Sequence, residues 1–220
     1  MRRPFRCQGF KKEKQMSPIF KTGFTLLAGA LMAVTVGFSA NAADPIRVRG
    51  TVEGLEGSTL SVKTREGTDA KIMLKDGWKV SSVAKASIDD IKPGDFVGIA
   101  SLPTADGGDG ALEVLIFPAA MKGTGEGSYA WDLKPNSSMT NATVADAVKS
   151  VDGRTVTVKY KGGEKKISIP DGTPVVTFAP ATESDIKSGA TVFIPSERAA
   201  DGSMSALRVV VGTHGIVPPM

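Results

Sequence analysis

The chain has 220 residues, 41% of them hydrophobic, 23% charged and 6% aromatic, with 25 Gly, 13 Pro, one Cys and one His. So much turn chemistry excludes a helix bundle, and one Cys with one His excludes zinc fingers, iron-sulfur centres and disulfide scaffolds. The formal charge of +4 is lopsided: residues 1–42 hold seven Lys and Arg against one Glu, leaving 20 basic and 22 acidic residues in 43–220, a balance that argues against nucleic acid as a partner.

The first segment has the three parts of an export signal: a basic stretch ending at Lys21, the apolar run Phe24 to Phe38, and Ala40-Asn41-Ala42 before Ala43. We expect residues 1–42 to be a signal peptide cleaved after Ala42, which places the mature chain in the periplasm or outside the cell. A start at Met16 would give a shorter signal, and Arg2-Arg3 hints at twin-arginine export. The competing reading is an uncleaved anchor, since the run nears the lower limit of a membrane span. No later segment approaches that length, so no membrane span is expected in the mature chain.

Residues 48–67 align with 144–163, and 71–117 with 166–212, with 27 identities in 67 pairs; unrelated sequence would give about four. The chain is one unit written twice. In the first copy Val48, Gly50 and Val52 alternate, Glu56-Gly57 turns, Leu60 to Thr64 alternates again, and Ala70, Ile72 and Leu74 make a third strand. Ala86 to Ile91 suits one helical turn entered from Ser87. Lys92-Pro93-Gly94-Asp95 turns into the strand Phe96 to Leu102, and Asp109-Gly110 into Leu112 to Phe117. This order predicts an all-β protein of two tandem OB-like Greek-key barrels; a five-stranded sandwich or an open meander fits the same order. The expected layout is a first barrel repeat over 43–118, a linker over 119–139, a second repeat over 140–212 and a tail over 213–220.

Gly94 and Gly189 persist in both copies while the residues beside them change from Pro93 and Asp95 to Ser188 and Ala190. Both are expected at the positive-φ position of a type II turn. Gly107, in a loop that reads as looser, is expected to be less demanding.

With the duplication and the run Asp90-Ile91-Lys92-Pro93-Gly94-Asp95-Phe96-Val97, the chain resembles the exported bacterial proteins of domain-of-unknown-function family 5666. Their repeats look like small β barrels with this turn into a valine strand; the second copy departs in having Ala190 where the first has Asp95. Residues 125–220 are similar to a Gram-negative subgroup in the runs Trp131-Asp132-Leu133, Met139 to Thr143, Tyr160 to Glu164 and Val217 to Met220. Such relatives are often labelled metal ABC transporter permeases, yet a permease needs several membrane spans. The resemblance implies no activity, catalytic residue or cofactor.

Nucleophilic catalysis needs an activated Ser, Thr or Cys, and the one His, His214, sits in a Gly-rich tail. The Asp-Gly pairs read as turns, and four Lys within 159–166 as a solvated hairpin tip. Met73, Met121, Met139, Met204 and Met220 could offer soft ligands near Trp78 and Trp131, but they are scattered and not duplicated. Tyr129 and Trp131 stand in a segment otherwise rich in Gly, Ser and Asn; Trp131 is expected to pack between the barrels, with ligand stacking as the other reading. Trp131, Tyr129 and Trp78 are therefore the candidate binding surface. The expectation is a periplasmic binding or interaction module, not an enzyme, without cofactor, whose partner is an envelope protein, glycan or small ligand. The alternative is an accessory metal-binding protein associated with metal transport.

Overall fold

Alternation along the chain sets the strands: Leu60 and Val62, then Ala70, Ile72 and Leu74, are buried between more exposed neighbours, the period of two of a sheet with one wet face. The computed structural model describes residues 44–150 and 153–219; the expected signal segment 1–42 and the final Met220 lie outside them. Twelve strands are described. They are β1 (Asp44–Glu56), β2 (Thr59–Thr64), β3 (Asp69–Lys85), β4 (Phe96–Pro103), β5 (Asp109–Ile116), β6 (Gly127–Ala130), β7 (Ser138–Ser150), β8 (Gly153–Tyr160), β9 (Gly163–Pro170), β10 (Val175–Pro180), β11 (Thr191–Arg198) and β12 (Met204–Gly212). The helical turn foreseen after Ser87 is a single 3-10 turn at Ile88–Asp90, capped by Ser87. Its counterpart at Glu183–Asp185 has Thr182 in the same place. Among the described residues no helix is long and apolar enough to cross a membrane.

The protein is all-β, and its strands close into rings. β12, β11, β1, β2 and β3 pair in that order, and β12 returns in parallel to β3. A second ring runs β5, β4, β7, β8, β9 and closes through the pairs Asp109 with Ile167 and Gly110 with Ser168. Neither ring is made from one contiguous repeat, which corrects the expected layout of one barrel over 43–118 and another over 140–212. Each ring takes its first three strands from one copy and its last two from the other.

The third strand causes the exchange. β3 does not stop at Leu74 but runs on to Lys85, and its last residues pair with β10 instead of folding back. At about 3.3 Å per residue, its 17 residues outreach the first ring and deliver the chain to the second. In the second copy the same stretch is broken by Pro170 and Pro174 into β9 and β10, as proline's missing donor would require. β10 lies between β3 and β5 and joins the rings. Phe178 on β10 pairs with Val83, its own duplicate, and the register is symmetrical on either side, with Thr177 opposite Ala84 and Ala179 opposite Ser82. A pseudo-twofold axis passes through that pair.

Matched backbone bonds fix the crossing. Val52 N donates to Ala190 O (2.8 Å) and Gly189 N to Val52 O (2.9 Å); Val144 N donates to Asp95 O (2.8 Å) and Gly94 N to Val144 O (2.8 Å). The turn of each copy is thus bonded to the first strand of the other. These bonds make Val144 the counterpart of Val52, whereas the sequence alignment pairs it with Val48. The second copy's first hairpin is four residues longer, since thirteen residues separate the paired Val144 and Val158 and nine separate Val52 and Val62. Val148, aligned by sequence with buried Val52, is 57% exposed at the hairpin end.

Three apolar clusters follow. Val52, Leu60, Ile72 and Ile194 lie in the first ring, Val97, Ile99, Val158 and Ile167 in the second, and Val83, Leu115, Val176, Phe193 and Val210 between them. Each such side chain contributes roughly 1.5–3 kcal/mol by leaving water. Arg154 of β8 adds a polar tie between copies, donating to Ile91 O (2.7 Å) and to the Asp89 carboxylate (2.8 Å) from a buried position.

Gly94 has φ +94° and Gly189 φ +87°, and Asp95 N and Ala190 N close the turns on Lys92 O and Lys187 O. A Cβ at either glycine would meet nothing within 4 Å, so a side chain is opposed by backbone conformation alone. Gly107 also has a positive φ, +83°, which corrects its reading as the less demanding position. Gly54 is the proper control, having open space and no positive φ. Gly94→Ala and Gly189→Ala should each lower stability by about 1 kcal/mol or more while Gly54→Ala is near neutral; chemical denaturation of the three variants checks this, and equal midpoints would contradict it.

Candidate functional site

Outward positions, which the barrels do not need for their cores, face each other across the pseudo-twofold axis. On the first ring these are Arg47 and Arg49 of β1 with Phe193 of β11, which pairs with Arg49. Their structural counterparts on the second ring are Met139 and Asn141 of β7 and Gly98 of β4, where Gly98 pairs with Asn141. One wall is therefore cationic and aromatic, the other neutral.

The segment between the copies sits against this asymmetry. β6 pairs antiparallel with β7, Tyr129 opposite Met139, and Trp131 follows directly. The loop after it is closed by buried Ser137, whose Oγ accepts from Lys134 N (3.1 Å) and lies 2.7 Å and 3.0 Å from the carbonyl oxygens of Lys134 and Trp131. Trp131 N donates to Ser137 O (2.8 Å). Asn141 Nδ2 donates to Tyr129 Oη (3.0 Å) and Gly125 O (3.1 Å), tying the preceding loop to β7. The stretch 119–139, expected as a linker, thus contributes a strand and a fixed loop.

The rings of Tyr129 and Trp131 are 6.0 Å apart, those of Trp131 and Phe193 6.5 Å, and those of Phe117 and Phe178 5.8 Å. The Arg47 guanidinium stands 3.9 Å from the Trp131 ring centre and that of Arg49 5.6 Å, cation-π geometry. Asp132 accepts from Arg49 at 2.8 Å and lies 3.8 Å from Arg47, and its carbonyl accepts from Arg65 (3.0 Å). Arg47, Phe117, Tyr129, Trp131, Phe178 and Phe193 bound a cleft of about 280 Å³ between the rings, with Thr124, Asn141, Pro195 and Arg208 among its walls; Arg49 and Asp132 hold Arg47 and Trp131 without lining it. Trp131 packs on the middle cluster, and its indole N–H is buried without a hydrogen-bond partner. Burial raises the Tyr129 hydroxyl above its ordinary pKa against the opposing charge of Arg47. Burial would also raise Asp132, but the Arg49 hydrogen bond and the charges of Arg49 and Arg47 outweigh it and hold the carboxyl below its usual range.

Of the expected surface, Tyr129 and Trp131 come together here, whereas Trp78 packs on the first ring's core away from them. His214, at φ +54°, lies beside the Lys187-Ser188-Gly189 turn. Lys159 pairs with Glu164 and Lys165 with Asp109. Among the described residues no three His, Cys, Asp or Glu side chains are grouped as a metal site requires. A larger cleft of about 500 Å³ beside Ser87 and Pro170–Val176 has two charged residues, Lys85 and Asp171, both exposed and of opposite sign. Sequence reasoning missed Arg47, Arg49, Phe178 and Phe193. The available signal was divergence of outward positions between copies, hidden by the four-residue misalignment of β1 with β7. Compared with protein-family models, with curated proteins and with solved structures, the chain matches none.

The depressed pKa of Asp132 has a directional consequence. Its contribution is complete above the unfolded carboxylate value of ~3.9 and is lost as pH falls through the lower folded value. Asp132→Asn should be less stable than the parent at neutral pH by about 1 kcal/mol or less, because the pair is partly exposed, and the gap should close in acid. Thermal melts across that range check this; a gap that does not change with pH would contradict it.

Proposed function

We propose that the protein is a non-catalytic binding module of the bacterial envelope, and that its recognition site is the aromatic and arginine-lined cleft between the rings. The export-like segment before Ala43 supports the location. The observation that carries the site is broken internal symmetry: Arg47, Arg49 and Phe193 stand where the other copy has Met139, Asn141 and Gly98. Tyr129 and Trp131 join them from a segment between the copies. Neither ring needs these side chains to close. A concave patch of aromatic rings with a few placed polar groups is the usual form of a ligand site, and here the polar groups are guanidinium, amide and hydroxyl.

Binding of this kind needs no nucleophile or general base, which agrees with the placement of His214 beside the Lys187-Ser188-Gly189 turn and not among the residues lining the cleft. The test is a screen of small molecules by NMR with backbone and indole assignments. Ligands should shift Tyr129, Trp131, Asn141 and Phe193 together, and Trp131→Ala should abolish those shifts while the β-sheet spectrum persists. A screen in which shifts scatter over the barrel exteriors, or collect around Ser87 and Thr173, would contradict the assignment.

A further inference from the structure

Resting on the cleft as the binding site, we infer that its ligand is a small organic anion, a carboxylate carried on one or two flat rings. Three observations lead there. First, charge: the cleft is walled by Arg47 on β1 and Arg208 on β12, and no Asp or Glu lines it. Arg208 is exposed and forms no ion pair with another described residue. Arg47 is only loosely neutralised, because its nearest carboxylate oxygen, on Asp132, is 3.8 Å away and that carboxylate is bonded more closely, at 2.8 Å, to Arg49. Arginine offers a planar fork of donors that matches a carboxylate.

Second, shape: Phe117, Tyr129, Trp131, Phe178 and Phe193 all line the same space. Flat faces of this kind favour a flat ligand, which gains from offset or edge-on contact with the rings. At about 280 Å³ the space falls just below the ~300–1,000 Å³ usual for ligand sites, room for one or two rings and not for an oligosaccharide. Third, hydrogen bonding: the buried indole N–H of Trp131 lacks an acceptor. A ligand bearing carboxylate oxygens brings acceptors to a wall that has donors to spare, whereas a cation would meet two guanidinium groups.

The experiment is titration of the protein with benzoate, phenylacetate and indole-3-acetate, each against its neutral amide, read by calorimetry and by the indole N–H signal of Trp131. Trp78→Phe assigns that signal. The carboxylates should bind about tenfold or more tightly than the amides, the worth of one or two charge-assisted hydrogen bonds. Added salt should narrow the difference, and Arg208→Gln, on an exposed strand position, should remove most of it without changing the fold. Amides that bind as well as the acids at Trp131 would overturn the anion assignment and leave the cleft standing as the site. Acids that bind without moving the Trp131 signal, or with their preference intact in Arg208→Gln and Arg47→Gln alike, would place the anion elsewhere and overturn both. No binding by acid or amide would also overturn the proposed ligand class.

Discussion

The backbone bonds between Val52 and the Gly189-Ala190 turn, and their matched pair between Val144 and the Gly94-Asp95 turn, are what the rest of the architecture depends on. Each joins the first strand of one copy to the entry of the fourth strand of the other. They are reciprocal, and each is worth only about 1 kcal/mol net. What they decide is which halves belong to which ring. Once β1 takes β11 as its neighbour in place of β4, the inward valines and isoleucines of 48–74 have to be completed by Ile194, Val209 and Val211. Those of 144–169 are completed in the same way by Val97, Ile99 and Val114. The middle cluster around Val83, Val176 and Phe193 is a product of that crossing.

A chain folded in this way cannot let its inward positions drift, because each ring draws on both copies. Outward positions near the pseudo-twofold axis are under no such constraint. There the copies have parted: arginines, phenylalanine and the packed Trp131 on one side, methionine, asparagine and glycine on the other. The segment between the copies has no counterpart at the opposite crossing, and it supplies the two aromatic side chains and the Asp132 carboxylate that organise the arginines. The proposed recognition site thereby falls where the copies are free to differ without opening either ring.

Much of this was legible in the sequence. Alternation of Leu60 with Val62 and of Ile72 with Leu74 marked the strands, and the duplication marked the repeated unit. The persistence of Gly94 and Gly189 beside changing neighbours marked a backbone requirement that their positive φ values show. The exchange was not legible, since strand pairing is a relation between distant segments and either partner for β1 presents the same pattern of alternating valines. The stretch Lys75 to Lys85 gave no help, because Asp76-Gly77 reads as a stop while the strand passes through it. Arg47 and Arg49, on either side of Val48, carry no motif or repeat signal of their own. Only the register of β1 against β11, with Phe193 beside Arg49, brings Arg47 to the wall of the cleft and Arg49 against the Trp131 and Phe193 rings.

The central claim is the exchange itself, and Hα to Hα contacts measured by NMR on labelled protein test it most directly. Thr51 should show such contacts to Thr191, and Thr143 to Phe96, as the observed pairings require. Contacts from Thr51 to Phe96 and from Thr143 to Thr191 would mean that each copy closes its own barrel, and would contradict the architecture on which the cleft is built.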